Sequence, residues 1–147
     1  MSAPSTFPAS VAAFGALYKQ TTTSRGFSYR YHFSAPLSGK PTLLFIHSFP
    51  SLAVGLYKQA SYFEERGYGV VVPDMLGYGG TDKPLDVSFY VQSGIARDLV
   101  DILDHEGLED VIVFAHAWYV HTFPKWTLML TLFQGNEGCE CTCPATP

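Results

Sequence analysis

Three short segments of the sequence combine histidine, aspartate, glycine and proline in patterns that can support chemistry. They are His47-Ser48-Phe49-Pro50, residues 73–84, and Ala115-His116-Ala117-Trp118-Tyr119. Histidine and aspartate are the usual side chains of acid–base, nucleophilic and metal sites. Each segment directly follows a run of apolar residues. In open parallel sheets, ligands and catalytic groups collect at this position, the carboxyl end of a strand.

Two chemical interpretations of the second segment are a carboxylate pair and a nucleotide-binding loop. Asp74 and Asp82 could form such a pair, but Gly, Asp and Pro after a strand form turns by themselves, and we favour loop geometry. Gly77, Gly79 and Gly80 lack the G-x-G-x-x-G order and the following helix of a dinucleotide loop. We therefore expect this segment to be a structured turn.

The three cysteines are confined to the end of the chain. They are Cys139, Cys141 and Cys143, and no fourth ligand stands at zinc-finger spacing. We therefore favour an oxidisable tail over a metal site. The odd number of cysteines also leaves at least one thiol without a disulfide partner. We predict neither a metal nor a cofactor for this chain.

The apolar runs predict strands of a parallel sheet. Residues 43–46, 70–72 and 111–114 are continuous apolar runs, which is the pattern of strands buried on both faces. Residues 18–23 and 27–33 alternate around Arg25-Gly26 and predict an antiparallel hairpin ahead of the first run. The hairpin can add an antiparallel edge to the sheet.

Two helices are predicted between the runs. Leu56, Ala60 and Phe63 lie on one helix face that ends at Gly67. A second apolar face ends near Gly107 and consists of Ile95, Leu99, Ile102 and Leu103. We expect the charged residues of both helices to be exposed: Glu64, Glu65, Arg66, Arg97, Asp98, Asp101 and Asp104. Strand, helix, strand, helix, strand indicates an α/β fold with right-handed crossovers.

Composition and charge exclude several classes of protein. The 147 residues are 47% hydrophobic, and 9 Lys and Arg against 13 Asp and Glu give a net charge of −4. No basic stripe is present, so nucleic acid is not an expected partner. The apolar stretches fall short of the roughly 18 residues of a membrane span, so no membrane partner is expected either. The N-terminus lacks the positively charged start of a secretory signal, and a cytoplasmic location is expected.

Together, the three segments resemble motifs of the α/β-hydrolases. They are similar to the His-Gly-x-Pro loop, the Asp-x-x-Gly-Tyr-Gly-x-Ser/Thr-x-x-Pro loop and the nucleophile elbow of that family. His116 and Trp118 beside the nucleophile position resemble the Gly-His-Asp-Trp-Gly elbow of epoxide hydrolases. The resemblance runs from about Thr21 to Trp118 and implies the N-terminal part of an α/β-hydrolase sheet, incomplete and truncated after the elbow.

Three regions are predicted on this basis. Residues 1–14 form an N-terminal extension, and residues 15–118 form a partial α/β-hydrolase core. Residues 119–147 form a C-terminal tail without family resemblance, expected to be irregular, because Pro124 stands where a helix should follow the third strand.

The resemblance assigns roles to individual residues. It places Ala117 at the position of the family's nucleophilic aspartate, and a methyl group cannot attack a substrate. The backbone N–H groups of Phe49 and Trp118 would line the oxyanion hole, with Pro50 in the turn and Ser48 replacing a glycine. The remaining motif residues are implied to be scaffold: His47, Asp74, Gly77, Gly79 and His116.

The resulting expectation is an epoxide-hydrolase-like chain that is catalytically inactive in this form. The family implies a small-molecule substrate, hydrolysed through an alkyl-enzyme ester on the aspartate. Two alternatives remain open: a residual hydrolase or esterase with another nucleophile, and a non-enzymatic binding or dimerisation module. The incomplete sheet also predicts self-association through an exposed strand edge.

Overall fold

A computed structural model describes residues 11–115 as a five-stranded mixed sheet with helices on both faces. The strands are β1 (Tyr18–Thr22), β2 (Ser28–Ser34), β3 (Thr42–Ile46), β4 (Gly69–Pro73) and β5 (Val111–Ala115). The helices are α1 (Val11–Ala16), α2 (Tyr57–Glu64) and α3 (Gln92–His105), with short 3-10 turns at Ala53–Leu56 and Val87–Tyr90.

The strand order is β1-β2-β4-β3-β5. β1 and β2 form the predicted antiparallel hairpin, and β2 joins it to β4 in antiparallel fashion. β3 pairs in parallel with β4 on one side and with β5 on the other. The predicted α/β class, with a hairpin followed by parallel βαβαβ, is therefore confirmed.

Alternate residues of the apolar strands supply two separate cores. Leu44 and Ile46 of β3 face a cluster that includes Ile95 and Leu99 of α3. Leu43 and Phe45 face the opposite cluster, which includes Ala60 of α2. Both faces of the central strands are covered, which is why the sequence shows continuous apolar runs there.

Two carboxylates that the helical pattern predicts to be exposed are fully buried. Glu64 and Asp98 are both 0% exposed, so the prediction of a solvated face is wrong for these residues. Each is buried because it pairs with a basic side chain of the hairpin, His32 for Glu64 and Arg25 for Asp98. A buried carboxylate needs such a partner to offset its lost hydration.

The N-terminal helix packs against the sheet through Phe14, which is 0% exposed. The predicted division into residues 1–14, 15–118 and 119–147 stays a prediction. His116, Ala117, Trp118 and the predicted tail, including the cysteines, lie outside the described residues. Between residues 11 and 115, no helix has the length and apolar character needed to cross a membrane.

Candidate functional site

The loop that follows β3 begins at His47, a side chain only 2% exposed. Its Nε2 accepts a hydrogen bond from the backbone N–H of Met75, which follows β4, at 3.0 Å. Because Nε2 accepts, the proton of the neutral ring lies on Nδ1, which faces the Ser48 carbonyl oxygen at 3.5 Å. His47 thus joins the loops that follow two neighbouring parallel strands.

Burial keeps His47 neutral. Desolvation lowers the pKa of the imidazole, while the Ser48 carbonyl and the charge of Asp74 act in the opposite direction more weakly. The ring also makes an edge contact with Tyr78, with ring centroids 5.3 Å apart. The geometry is that of a structural histidine, since the nitrogen that would accept a substrate proton is already occupied.

Asp74 at the end of β4 uses both carboxylate oxygens within the protein. Oδ2 accepts from Arg30 Nε at 2.8 Å and from the Gly80 N–H at 3.0 Å, and Oδ1 accepts from the Ala53 N–H at 3.0 Å. The side chain is 0% exposed. Asp74 therefore holds together β2, its own loop and the loop that follows β3.

The turn after Asp74 requires glycine at two positions. Gly77 and Gly79 have positive φ values of 90° and 49°. A Cβ on Gly79 would overlap the Asp74 carboxylate, and one on Gly77 would lie 2.9 Å from the Tyr90 ring. Thr81 completes the turn, because its hydroxyl donates to the Asp74 carbonyl oxygen at 2.6 Å.

The Asp82 carboxylate accepts its hydrogen bond at a different place in the fold from Asp74. Its Oδ2 accepts the Ser28 N–H at 2.8 Å, at the start of β2. The two carboxylates have different partners, in keeping with the loop-geometry interpretation. Within the described part of the chain, no group of three or more His, Cys, Asp or Glu residues could hold a metal ion.

Phe49 and Pro50 lie at the surface of this edge. The Phe49–Pro50 peptide bond is cis, and the turn is closed by a hydrogen bond from the Ser51 N–H to the Ser48 carbonyl oxygen at 2.7 Å. Phe49 is 75% exposed, whereas Ser48 is buried. No acceptor among residues 11–115 is hydrogen-bonded to the Phe49 N–H.

Sequence reasoning missed Arg30 as a member of this site. Its guanidinium binds Asp74 from β2 and lies over the Tyr18 ring, 4.4 Å from the centroid. An arginine in an alternating strand is ordinarily read as a solvent-facing residue. Nothing in the local pattern could have identified its partner, which lies 44 residues further along the chain.

Known proteins share both the sequence and the architecture of this region. The family model described as alpha/beta hydrolase fold matches residues 41–118. Epoxide hydrolase 2 of Siraitia grosvenorii is 36% identical over 84 residues, which is 57% of this chain and 27% of that protein. Epoxide hydrolase A of Mycobacterium tuberculosis is 35% identical over 80 residues, covering 54% and 25% of the two chains.

A solved structure of an epoxide hydrolase shares the architecture of this chain. The chain superposes on a Vigna radiata epoxide hydrolase mutant with a TM-score of 0.65 and 30% identity, over 71% of this chain and 32% of that one. The chain thus spans about a quarter to a third of the length of these relatives. With the family model matching more than half of its residues, the chain belongs to the α/β-hydrolase fold family, and within that family it is epoxide-hydrolase-like.

Proposed function

We propose that this chain forms the oxyanion side of an epoxide-hydrolase-like site and does not itself turn over epoxides. One observation carries the proposal: His47 and Asp74, the titratable residues that directly follow β3 and β4, are held in structural hydrogen bonds. His47 Nε2 accepts from Met75, and both oxygens of Asp74 accept from protein donors. Neither residue is free to act as base or nucleophile.

Phe49 is the residue proposed to contact substrate. Its backbone N–H has no acceptor among residues 11–115, and His47 and Asp74 hold its loop from both ends. A free N–H in a rigid loop can stabilise an oxygen that becomes negative during reaction. By resemblance, the Trp118 N–H would be the second donor.

The nucleophile position argues for inactivity. In the family, an aspartate carboxylate oxygen attacks an epoxide carbon, the C–O bond of the ring breaks, and a histidine-activated water then hydrolyses the resulting ester. Ala117 occupies this position here, and its methyl group has no electron pair to donate.

A base for the second step is also lacking among the described histidines. His32 and His47 are both buried. His105 ends α3, and the chain then enters β5 at Val111, so His105 lies at the amino edge of the sheet, opposite the site. No histidine between residues 11 and 115 can therefore activate water beside residue 117.

The proposal is tested by incubating the purified chain with an aryl epoxide and measuring diol. We expect diol at the uncatalysed rate, and the same rate for Ala117→Gly as a matched control. For Ala117→Asp we expect at most one covalent adduct per chain in the intact mass, with no multiple turnover. Diol formation by the wild-type chain in proportion to its concentration, after removal of host hydrolases, would overturn the proposal.

A further inference from the structure

The turn between β1 and β2 is attached to α3 by polar side chains that have no role in the proposed site. The Ser24 N–H and hydroxyl both donate to Asp101 Oδ2 at 2.7 Å. Arg25 Nη1 donates to Asp98 Oδ2, also at 2.7 Å. We call this contact of residues 23–25 with α3 the turn–helix junction.

Two oxygen atoms of the turn–helix junction are buried without a hydrogen-bond partner among the described residues. They are Thr23 Oγ1 and Asp98 Oδ1. Thr23 is 4% exposed and Asp98 is 0% exposed, so bulk solvent does not hydrate either oxygen. Buried polar atoms are bonded to protein or to ordered water in the great majority of cases. The two oxygens therefore indicate that the junction holds a further hydrogen-bonding group.

The pairing of the hairpin places the Thr23 side chain on the face of the sheet that α3 covers. The Thr23 N–H donates to the Phe27 carbonyl oxygen at 2.9 Å, so the ladder between β1 and β2 continues for one more residue. Thr21 pairs with Tyr29, and Thr23, two residues further on, has its side chain on the same face. The Tyr29 hydroxyl donates to Asp98 Oδ2 at 3.0 Å. Thr23 Oγ1 and Asp98 Oδ1 thus lie on the same side of the sheet.

The Arg25 guanidinium is held where it serves the other oxygen of Asp98. Its Nη1 donates to Asp98 Oδ2, and its Nη2 donates to the Phe89 carbonyl oxygen at 2.6 Å. Gly94 lies about one turn before Asp98 on α3 and leaves room for the guanidinium, because a Cβ there would lie 2.7 Å from Arg25 Cζ. The donor for Asp98 Oδ1 must therefore come from another group.

Neighbouring contacts keep the two oxygens in one small region. The two residues that follow Thr23 in the turn bond to Asp98 and Asp101, which are less than one helical turn apart on α3. Thr23 Oγ1 and Asp98 Oδ1 nevertheless form no hydrogen bond with each other. A carboxylate oxygen only accepts, whereas a hydroxyl both donates and accepts. A small group that donates to Asp98 Oδ1 and bonds to Thr23 Oγ1 would satisfy both atoms.

We propose that this group is an ordered water molecule that bridges Asp98 Oδ1 and Thr23 Oγ1. Charge decides between water and a cation. The carboxylate is already paired with the Arg25 guanidinium, and a bound cation would add a second positive charge next to it. Water is neutral, and buried waters typically bond to two to four polar groups that otherwise have no partner. The water joins the hairpin to α3 in addition to the direct bonds of Ser24 and Arg25.

Thr23→Val tests the bridging water through the sign of its effect on stability. Valine has nearly the shape of threonine but no hydroxyl. Removing a buried hydroxyl that bonds to nothing would stabilise the fold. Removing one that holds a water deprives that water of a partner and leaves Asp98 Oδ1 poorly bonded. We therefore expect the folding equilibrium constant of the full chain, measured by urea unfolding, to fall by about tenfold. An unchanged or larger constant overturns the proposal.

Thr22→Val is the matched control, because Thr22 makes the same change possible at the exposed neighbouring position. It should alter the folding constant by less than about twofold. A loss equal to that of Thr23→Val would assign the effect to the strand and not to the water, and would overturn the proposal.

A high-resolution crystal structure of the wild-type chain locates the water directly. We expect one water molecule within about 3.2 Å of both Thr23 Oγ1 and Asp98 Oδ1. Protein atoms bonded to the two oxygens, separate waters on each, or a dry junction would each contradict the bridge.

Discussion

Asp74 organises the site at the residue scale. One carboxylate joins the guanidinium of Arg30 to the backbone N–H groups of Ala53 and Gly80, which belong to two different loops. Such a network tolerates neither loss of the charge nor intrusion of a side chain, because the carboxylate is fully buried. Gly79, where a Cβ would overlap this carboxylate, is therefore a structural requirement of the loop.

Gly79→Ala should destabilise the fold considerably more than Gly107→Ala. Both glycines have positive φ, but a Cβ at Gly107 meets no atom within 4 Å, whereas one at Gly79 overlaps Asp74. Placing an alanine at positive φ costs about 1–2 kcal/mol of unfolding free energy at either position. Overpacking should add roughly 1–3 kcal/mol at Gly79 alone. Urea unfolding of both variants measures the difference, and equal losses would show that the loop adjusts freely.

His47 should make the fold acid-sensitive. Burial lowers its pKa in the folded state, so below about pH 6.5 the unfolded chain binds the proton more readily, and stability falls as pH falls. His47→Gln keeps an acceptor for the Met75 N–H but does not titrate. As pH falls from about 6.5 to about 5, the unfolding free energy should therefore decrease less steeply in the variant than in the wild-type chain. The two slopes should differ by up to about 1.4 kcal/mol per pH unit. Parallel profiles would contradict a buried neutral imidazole.

At the scale of elements, an ion pair between a partly exposed arginine and a fully buried aspartate attaches α3 to the hairpin. Arg25, in the turn between β1 and β2, donates to Asp98 Oδ2 on α3 at 2.7 Å, and the Tyr29 hydroxyl donates to the same oxygen at 3.0 Å. Asp98 Oδ1 is buried and has no hydrogen-bond partner among the described residues. The carboxylate thus depends strongly on its arginine.

Arg25→Met should cost about 3 kcal/mol of unfolding free energy, because it leaves Asp98 buried without a cation. The double variant with Asp98→Leu should be more stable than the sum of the single losses predicts, by about 2 kcal/mol. Urea unfolding of the four chains in a double-mutant cycle measures this coupling. Additive losses would show that the two side chains contribute independently.

At the scale of the whole molecule, the sheet is covered on both faces but differs at its two sides. In the described structure β1 is the edge strand at one side, paired with β2, and β5 is the edge strand at the other, paired with β3. β5 has the sequence VIVFA, without a charged or proline residue that would discourage pairing with another chain. This edge is where the predicted self-association would occur.

The purified chain should therefore show a mass that rises with protein concentration. We expect light scattering after size-exclusion chromatography to report species larger than the 16.2 kDa chain at high loading. A single monomeric mass across a hundredfold range of loading, combined with slow amide exchange throughout β5, would mean that another part of the chain covers the edge.

The amino-acid sequence by itself determined the order and type of the main elements. Continuous apolar runs identified β3, β4 and β5, and alternation around Arg25-Gly26 identified the hairpin. Gly67 and Gly107 marked helix ends and have positive φ in the structure. These signals are local, since each arises from residues within a few positions of one another.

Only the tertiary structure decided which charged residues are buried. Arg25 and Asp98 are 73 residues apart, Arg30 and Asp74 are 44 apart, and His32 and Glu64 are 32 apart. Periodicity assigns a lone charged residue to the solvent side, because hydration is its most favourable state without a partner. A partner from a distant strand reverses that assignment, and sheet register, not local sequence, brings the two together.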